Sequence, residues 1–173
     1  WREENLTLLP ISINESRHHL KNDNHINELK EIISAYNADA NLIELEMTES
    51  TVVEDIKRAK NAAESVKKLG FIVSMDDFGA GYSSLNSLKE LSIDVLKIDA
   101  DFFRGVDSVE RGMLIVSEVI DLAKKLDMKI VAEGIESKEQ VDFLTQQECD
   151  LIQGYYYAKP MSIDEFEEKY KEI

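Results

Sequence analysis

Polar side chains of the kinds that bind metal ions or carry protons recur directly after short apolar runs in this sequence. Asp76 and Asp77 stand side by side after "FIVSM", and Glu46 lies in "LIELEM". Mg²⁺ and Mn²⁺ prefer carboxylate, amide and water oxygens, and closely spaced carboxylates repel one another unless a cation lies among them. The whole set is Asn14, Glu46, Glu49, Asp76, Asp77, Lys97, Asp99, Glu133, Glu136 and Gln153. It predicts a divalent-metal site, provided that the fold gathers these residues.

Short apolar runs rich in Ile, Val and Leu alternate with longer segments of helical period from residue 8 onward. This alternation is typical of repeated βα units and a parallel sheet. The runs are "LLPISIN" near 8–14, "LIELEM" near 42–47, "FIVSMD" near 71–76, "DVLKID" near 94–99, "KIVAE" near 129–133 and "LIQGYYY" near 151–157. The sequence therefore predicts six strands, with helices between them.

Two architectures fit repeated βα units: an open, doubly wound sheet and a (β/α)₈ barrel of the TIM type. No glycine-rich phosphate loop follows the first run, and polar residues end all six runs instead of gathering at one switch point. A barrel collects its strand ends around one axis and makes these residues neighbours. We therefore expect an α/β fold, a single barrel domain over residues 1–173 that is incomplete because its N-terminal units are missing.

Several helix ends are recognisable from their capping residues. Gly70 stands where the C-terminal end of a helix is expected. The N-terminal capping-box pairs are Thr51 with Glu54, Ser137 with Gln140, and Ser162 with Glu165. These signals place helices between the predicted strands and after the last one.

Composition and charge exclude several classes of function. The 173 residues are 43% hydrophobic and 32% charged, as in a globular domain, and the formal net charge is −15. Binding to a nucleic-acid polymer or an anionic membrane depends on clustered Lys and Arg, so we expect neither. No apolar run is long enough to cross a bilayer and no signal peptide is visible, so we expect a cytoplasmic protein. Cys149, the single cysteine, is expected to be an inert, partly buried thiol.

Each candidate residue also has a purely structural interpretation. Asp76 and Asp77 could cap a helix or start a turn. Glu46 alternates with Glu44, so one of the two could be an ordinary strand residue that faces outward. Lys97 could form a structural ion pair. Its candidate partners are Asp94 and Asp99. Glu133 could belong to a loop and Glu136 to the start of a helix, and the role of Gln153 could be limited to hydrogen bonds with backbone groups.

A histidine pair and a glycine-containing segment could also be parts of a functional site. His18 and His19 are typical of the start of a surface helix, and nothing nearby supplies metal-ligand spacing. Gly79 and Gly81, in "DFGAGYSSL", permit positive φ angles and a tight, mobile turn, so this segment predicts a loop that folds over the site or toward a partner subunit. An ordinary βα connection is the alternative.

Six ordered motifs resemble those of the EAL-type cyclic di-GMP phosphodiesterases. They are "SIN", "IELEMTES", "DDFGAGYSSL", "LKID", "AEGIES" and "QGYYYAKP", and the match runs from about residue 8 to the end of the chain. The resemblance implies a hydrolase of bacterial second-messenger signalling that opens cyclic di-GMP to linear pGpG. It also implies two divalent ions, Mg²⁺ or Mn²⁺, and a homodimer of the full domain.

The resemblance assigns roles residue by residue. Asn14, Glu46 and Asp76 would bind the first metal, and Asp76 and Asp77 would share the second. Lys97 would hold or activate the attacking water, and Glu133 would be a candidate base or metal contact. Glu49 would anchor the loop that begins at Phe78. Glu136 and Gln153 would complete the site near metal and substrate.

One departure from the family pattern concerns the motif that names it. The Glu-Ala-Leu motif lies upstream of the asparagine motif, and "WREENLTLLP" cannot supply it. In the family its glutamate is a metal ligand, and a nearby arginine contacts substrate phosphate. This chain alone should therefore bind metal and substrate poorly, whereas the parent domain is expected to be a working enzyme. A smaller departure is Glu15, where a leucine is usual.

Two other functions compete with the phosphodiesterase. A non-catalytic cyclic di-GMP receptor or scaffold would fit the missing glutamate, but it would not need the whole set of metal ligands. A metabolic barrel enzyme with Lys97 as a Schiff-base lysine would fit the fold, but it leaves the paired aspartates unexplained.

Overall fold

The computed structural model describes residues 1–4, 6–22, 24–79, 85–103 and 109–170. The strands are β1 (Ile11–Asn14), β2 (Ile43–Thr48), β3 (Ile72–Phe78), β4 (Val95–Ile98), β5 (Lys129–Ala132) and β6 (Leu151–Ile152). The helices are α1 (Arg17–Lys21), α2 (His25–Ala35), α3 (Glu49–Glu54), α4 (Ile56–Lys67), α5 (Leu85–Glu90), α6 (Val109–Lys125), α7 (Lys138–Gln146) and α8 (Ile163–Tyr170), with 3-10 helices at Ala40–Leu42 and Ala100–Phe103.

All strand pairs in the sheet are parallel, and the strands are ordered β1-β2-β3-β4-β5-β6. A doubly wound sheet would reverse its strand order at a switch point, whereas a barrel keeps sequential neighbours paired. The sheet curls into part of a barrel, with β1 and β6 as its edges. The expected incomplete (β/α)₈ barrel is confirmed.

The two faces of the sheet differ in chemistry. In-register residues of the outer face form the core beneath the helices, and they are almost fully buried: Leu45, Met47, Val73, Met75, Leu96, Ile98, Ile130 and Ala132. The opposite face carries Glu44, Glu46 and Ser74 on neighbouring strands. Because side chains alternate along a strand, Glu44 and Glu46 share this face, and neither faces the helices.

Most predicted strands begin and end close to the expected residues, with two informative differences. β1 starts only after Pro10, which has no N–H to donate to a ladder. β6 is limited to Leu151–Ile152, because the chain turns at Gly154. A side chain on Gly154 would lie 2.1 Å from the carbonyl oxygen of Ile135. The three tyrosines after Gly154 therefore lie in a turn and not in a strand.

The capping predictions have mixed outcomes. Ser137 and Gln140 form the expected capping box of α7, and Ser162 exchanges hydrogen bonds with Glu165 at the start of α8. Gly70 has φ +94° in the turn after α4. The Thr51–Glu54 box is wrong, because Thr48 caps α3 through the N–H of Thr51 and Asp55 starts the next helix by capping α4.

Two further expectations from the sequence concern membrane-spanning helices and the burial of the single cysteine. Among the described residues, the helices are all too short or too polar to cross a membrane. Cys149 is partly buried, as expected, and burial raises the pKa of its thiol.

Two aspartates that directly precede strands hold neighbouring strands through hydrogen bonds to the backbone. Asp94, before β4, accepts a hydrogen bond from the N–H of Val73 (3.0 Å) and one from Lys67 Nζ (2.6 Å). Asp150, before β6, accepts one from the N–H of Ile130 (2.8 Å). In both cases a carboxylate satisfies a backbone donor near the start of the neighbouring strand, so these aspartates help to set the strand register.

Replacing Asp94 by alanine should lower the free energy of unfolding by about 1–3 kcal/mol, because the Val73 N–H loses its acceptor. Urea unfolding followed by circular dichroism measures this change. Asp142→Ala is the matched control, since Asp142 pairs only with Lys138 on the exposed face of α7 among the contacts described, and such pairs contribute ~0.3–0.5 kcal/mol. Equal losses in the two variants would contradict the structural role of Asp94.

Candidate functional site

The predicted site residues lie at the carboxyl ends of the strands. Asn14 is in register with Glu46, and Asp76 is in register with Thr48 at the end of β2. Lys97 lies near the end of β4, and the N–H of Glu133 donates to the carbonyl oxygen of Ile98 (2.9 Å). The parallel sheet thus gathers residues that are far apart in sequence at one end of the barrel.

Lys97 is the centre of this arrangement. Its side chain is 7% exposed, its Nζ forms a short ion pair with Glu46 Oε1, and it lies 2.7 Å from Glu133 Oε1. The alternative that Lys97 pairs with Asp94 is wrong, because Asp94 binds Lys67 instead. Burial alone would lower the pKa of Lys97, but the hydrogen bonds from Lys97 to Glu133 and Glu46 outweigh burial and raise it. Lys97 is therefore a fixed positive charge at neutral pH.

Glu133 has a perturbed carboxyl group. Burial raises its pKa, and the negative charges of Asp76 and Glu46 raise it further. The contact with Lys97 acts in the opposite direction, and the net pKa lies above the ordinary value. A carboxylate with a raised pKa accepts a proton more readily near neutral pH.

A break in β3 positions the paired aspartates. The register of β3 with β4 shifts between Met75 and Phe78, and Asp77 has φ +56°. In a regular strand adjacent residues face opposite sides, so the irregularity allows both carboxylates to approach the same region. Burial raises the pKa of Asp77, and the charge of Asp76 raises it further.

Glu49 contacts the start of the glycine-containing loop. It is buried at the beginning of α3, and its Oε2 accepts a hydrogen bond from the N–H of Gly79 (3.2 Å). Gly79 has φ +102°. The rest of the loop that the sequence predicts to be mobile, including Gly81, lies outside the described residues. The contact joins the beginning of α3 to the residue that follows β3.

Glu136 and Gln153 line a cavity of about 700 Å³ together with Glu133. Both side chains are exposed, and the backbone of Gln153 bonds to Ala132 and Ile135. Lys159 also lines the cavity, and its Nζ lies 5.5 Å from the centre of the Tyr155 ring. Lys159 belongs to the motif "QGYYYAKP", and its position after the last strand is the sequence signal that could have marked it as a site residue.

The donor set has the chemistry of a divalent-cation site, but in the described part of the chain no three of its carboxylates bring their oxygens within 4.8 Å of one another. Five carboxylates interact electrostatically with one another or with Lys97: those of Glu46, Asp76, Asp77, Asp99 and Glu133. Lys97 contributes one positive charge to this group. Burial is the largest cause of the raised pKa values of Asp77 and Glu133, and the negative charges of neighbouring carboxylates raise both further. Hard divalent ions bind oxygen donors of this kind.

The sequence of the chain is similar to that of characterised proteins. The family model of the EAL domain matches residues 1–160. The cyclic di-GMP phosphodiesterase NbdA of Pseudomonas aeruginosa is 34% identical over 160 residues, which cover 92% of this chain and 20% of that protein. The cyclic di-GMP phosphodiesterase PdeR of Escherichia coli is 33% identical over 171 residues, covering 99% of this chain and 26% of that protein. The chain thus spans about a quarter or less of these relatives.

The fold is similar to that of solved EAL structures. The PaMucR phosphodiesterase in its c-di-GMP complex superposes with a TM-score of 0.83 at 32% identity, over 91% of this chain and 64% of that one. The half-barrel is therefore shared with a protein that binds c-di-GMP. Since the family model matches 160 of the 173 residues, and its match includes every residue predicted for the site, this chain belongs to the EAL-domain family.

Proposed function

We propose that the domain containing this chain hydrolyses cyclic di-GMP to linear pGpG and requires two divalent metal ions, Mg²⁺ or Mn²⁺. The observation that carries the proposal is the buried Lys97 held between Glu46 and Glu133 beside the paired aspartates. Relatives named cyclic di-GMP phosphodiesterases, and the c-di-GMP complex of PaMucR, support the substrate.

The metal ions are assigned to the oxygen-bearing strand ends. Asn14, Glu46 and Asp76 would hold the first, and Asp76 with Asp77 the second. Bound ions would lower the pKa of a nearby water and stabilise charge on the attacking and leaving oxygens of the phosphodiester. They would also offset repulsion between the substrate phosphates and this acidic protein, whose net charge is −15.

Lys97 acts in this proposal as a donor and not as a proton acceptor. A lysine ammonium has three N–H donors, and those of Lys97 already include contacts with Glu46 and Glu133. We assign the third to the attacking water or to a phosphate oxygen, which Lys97 would orient. Its raised pKa keeps these donors in place at neutral pH.

Glu133 is the candidate base, because its raised pKa favours proton uptake. Glu49 would hold the loop that starts at Phe78 through the N–H of Gly79. Glu136 and Gln153 would contact substrate from the far wall of the cavity. The same proposal includes a homodimer of the full domain and a cytoplasmic site of action.

The upstream segment should matter for turnover. No Glu-Ala-Leu sequence precedes Asn14 in this chain. We therefore propose that residues 1–173 alone are impaired relative to a parent domain that carries the motif and its glutamate.

Removal of divalent metal should abolish turnover by that parent domain. Incubation with cyclic di-GMP and Mg²⁺ or Mn²⁺ should give pGpG, resolved by liquid chromatography, and excess EDTA should stop the reaction until metal is restored. Tight binding of cyclic di-GMP without product would instead support the receptor, and turnover that persists in EDTA would contradict the metal requirement.

Lys97→Ala should lower kcat by at least about 100-fold with a smaller change in KM, because Lys97 is assigned to the reacting water or phosphate oxygen. Steady-state kinetics of the parent domain measure both parameters. Lys125→Ala, at the exposed end of α6, is the control and should leave them unchanged. Circular dichroism checks that each variant is folded. A folded Lys97→Ala variant with normal kcat would contradict the assignment.

A further inference from the structure

Two histidines and a buried glutamate converge just after the end of β1. Glu15 Oε2 lies 3.0 Å from His19 Nδ1 and 3.0 Å from His25 Nε2. The side chain of Glu15 is 5% exposed, that of His25 12% and that of His19 49%. One ligand atom from each residue lies within 4.8 Å of the other two.

Three different elements position these side chains. Glu15 directly follows β1, and its N–H donates to the carbonyl oxygen of Glu46 (2.8 Å). His19 lies in α1, whose N-terminal cap is Ser16, and stands four residues after Glu15. His25 begins α2. The N–H of His25 donates to the carbonyl oxygen of Asn22 (3.1 Å), and the rings of His19 and His25 stack at 4.8 Å with an interplanar angle of 14°.

The sequence prediction that nothing near His19 supplies metal-ligand spacing is therefore wrong. His25 belongs to another helix, and only the turn from α1 to α2 makes it a neighbour of His19. Glu15, noted only as a departure from a usual leucine, supplies the third ligand atom. A helical-spacing argument detects the Glu15 and His19 pair at i and i+4, but it does not detect His25.

The two nitrogen-to-oxygen distances are close to those of a metal site, and the two nitrogens lie within 4.8 Å of each other. In a tetrahedral Zn²⁺ site with bonds of about 2.0–2.1 Å, neighbouring ligand atoms are roughly 3.3 Å apart. The two nitrogen-to-oxygen distances of 3.0 Å need to lengthen only slightly to reach this value. Two imidazoles and one carboxylate form a ligand set that Zn²⁺ and its first-row neighbours bind well.

A plain cluster of ion pairs explains the geometry less well. His25 Nε2 is buried and makes no hydrogen bond of acceptable geometry with the described residues, although Glu15 Oε2 is 3.0 Å away. A buried polar atom without a partner is destabilising. A cation between the nitrogen and the carboxylate would satisfy both atoms.

An external ligand can reach this cluster. His19 and His25 line an open groove of about 560 Å³ that also contacts Asp55, Arg58 and Asn61 of the α4 region. Three protein ligands with one position open to solvent are typical of zinc sites that bind water or an exogenous ligand, whereas structural zinc sites are closed by four protein ligands.

We propose that Glu15, His19 and His25 form a binding site for one first-row transition-metal ion of the Zn²⁺ type, separate from the oxygen-donor site at the strand ends. The nitrogen ligands distinguish the two, because imidazole suits Zn²⁺ while carboxylate and amide oxygens suit Mg²⁺ and Mn²⁺. The ion would stabilise the end of β1, since Glu15 follows Asn14 and its N–H binds Glu46. This proposal does not depend on the proposed hydrolysis.

Calorimetric titration of the domain that contains this chain with Zn²⁺ tests the proposal, and histidine variants separate this site from the oxygen-donor site, which contains no histidine. The wild-type chain should bind one Zn²⁺ at this site. His19→Ala should weaken that binding by at least about tenfold, since even residues that only support a metal ligand contribute about 10–100-fold to affinity. His19 is half exposed, so this variant should fold, which circular dichroism verifies.

His18→Ala is the matched control, because His18 is an exposed histidine of the same helix outside the cluster. It should bind Zn²⁺ like the wild-type chain. Co²⁺ in place of Zn²⁺ gives a second readout: a visible absorption spectrum with nitrogen coordination, lost in His19→Ala and kept in His18→Ala. No Zn²⁺ binding by the wild-type chain, or equal affinities in the two variants, would overturn the proposal.

Discussion

The ion pairs of Lys97 with Glu46 and Glu133 connect β4 to β2 and to the end of β5, and the arrangement of the candidate site depends on them. Each charge is largely removed from water, so each requires a partner. Removing Lys97 would leave two largely buried carboxylates without their cation. The apolar outer face supports this centre, because Leu96 and Ile98 are fully buried and hold the strand that carries Lys97. The apolar core and the polar site therefore lie on opposite faces of the same strands.

The second constraint is the irregular end of β3. Regular strand geometry would turn Asp76 and Asp77 to opposite faces. The register shift before Phe78 and the positive φ of Asp77 bring negative charges together. Burial raises the pKa of Asp77, and the charges of Asp76 and Asp99 raise it further. Such an arrangement is costly without a cation, and backbone strain of this kind concentrates at functional sites. Local geometry and local charge therefore point to the same requirement for a divalent ion.

The sequence alone predicts the fold class well and the site in part. Short apolar runs between segments of helical period locate every strand, and strand-end chemistry identifies Glu46 and Lys97, because both signals are local. Contacts between distant segments are not local, which is why the pairing of Lys97 with Glu133, the anchoring role of Asp94 and the approach of His25 to Glu15 become visible only in the structure. The bulge at Asp77 was likewise hidden, since "MDDF" reads equally well as a helix cap or a turn.

The claim on which the account depends is that the carboxylates around Lys97 hold divalent cations. Crystals of the domain that contains this chain, soaked in Mn²⁺, allow anomalous scattering to locate the metal directly. The account predicts anomalous peaks among Asn14, Glu46, Asp76 and Asp77. Peaks confined to other parts of the surface, with Lys97 as the sole cation among these carboxylates, would contradict it.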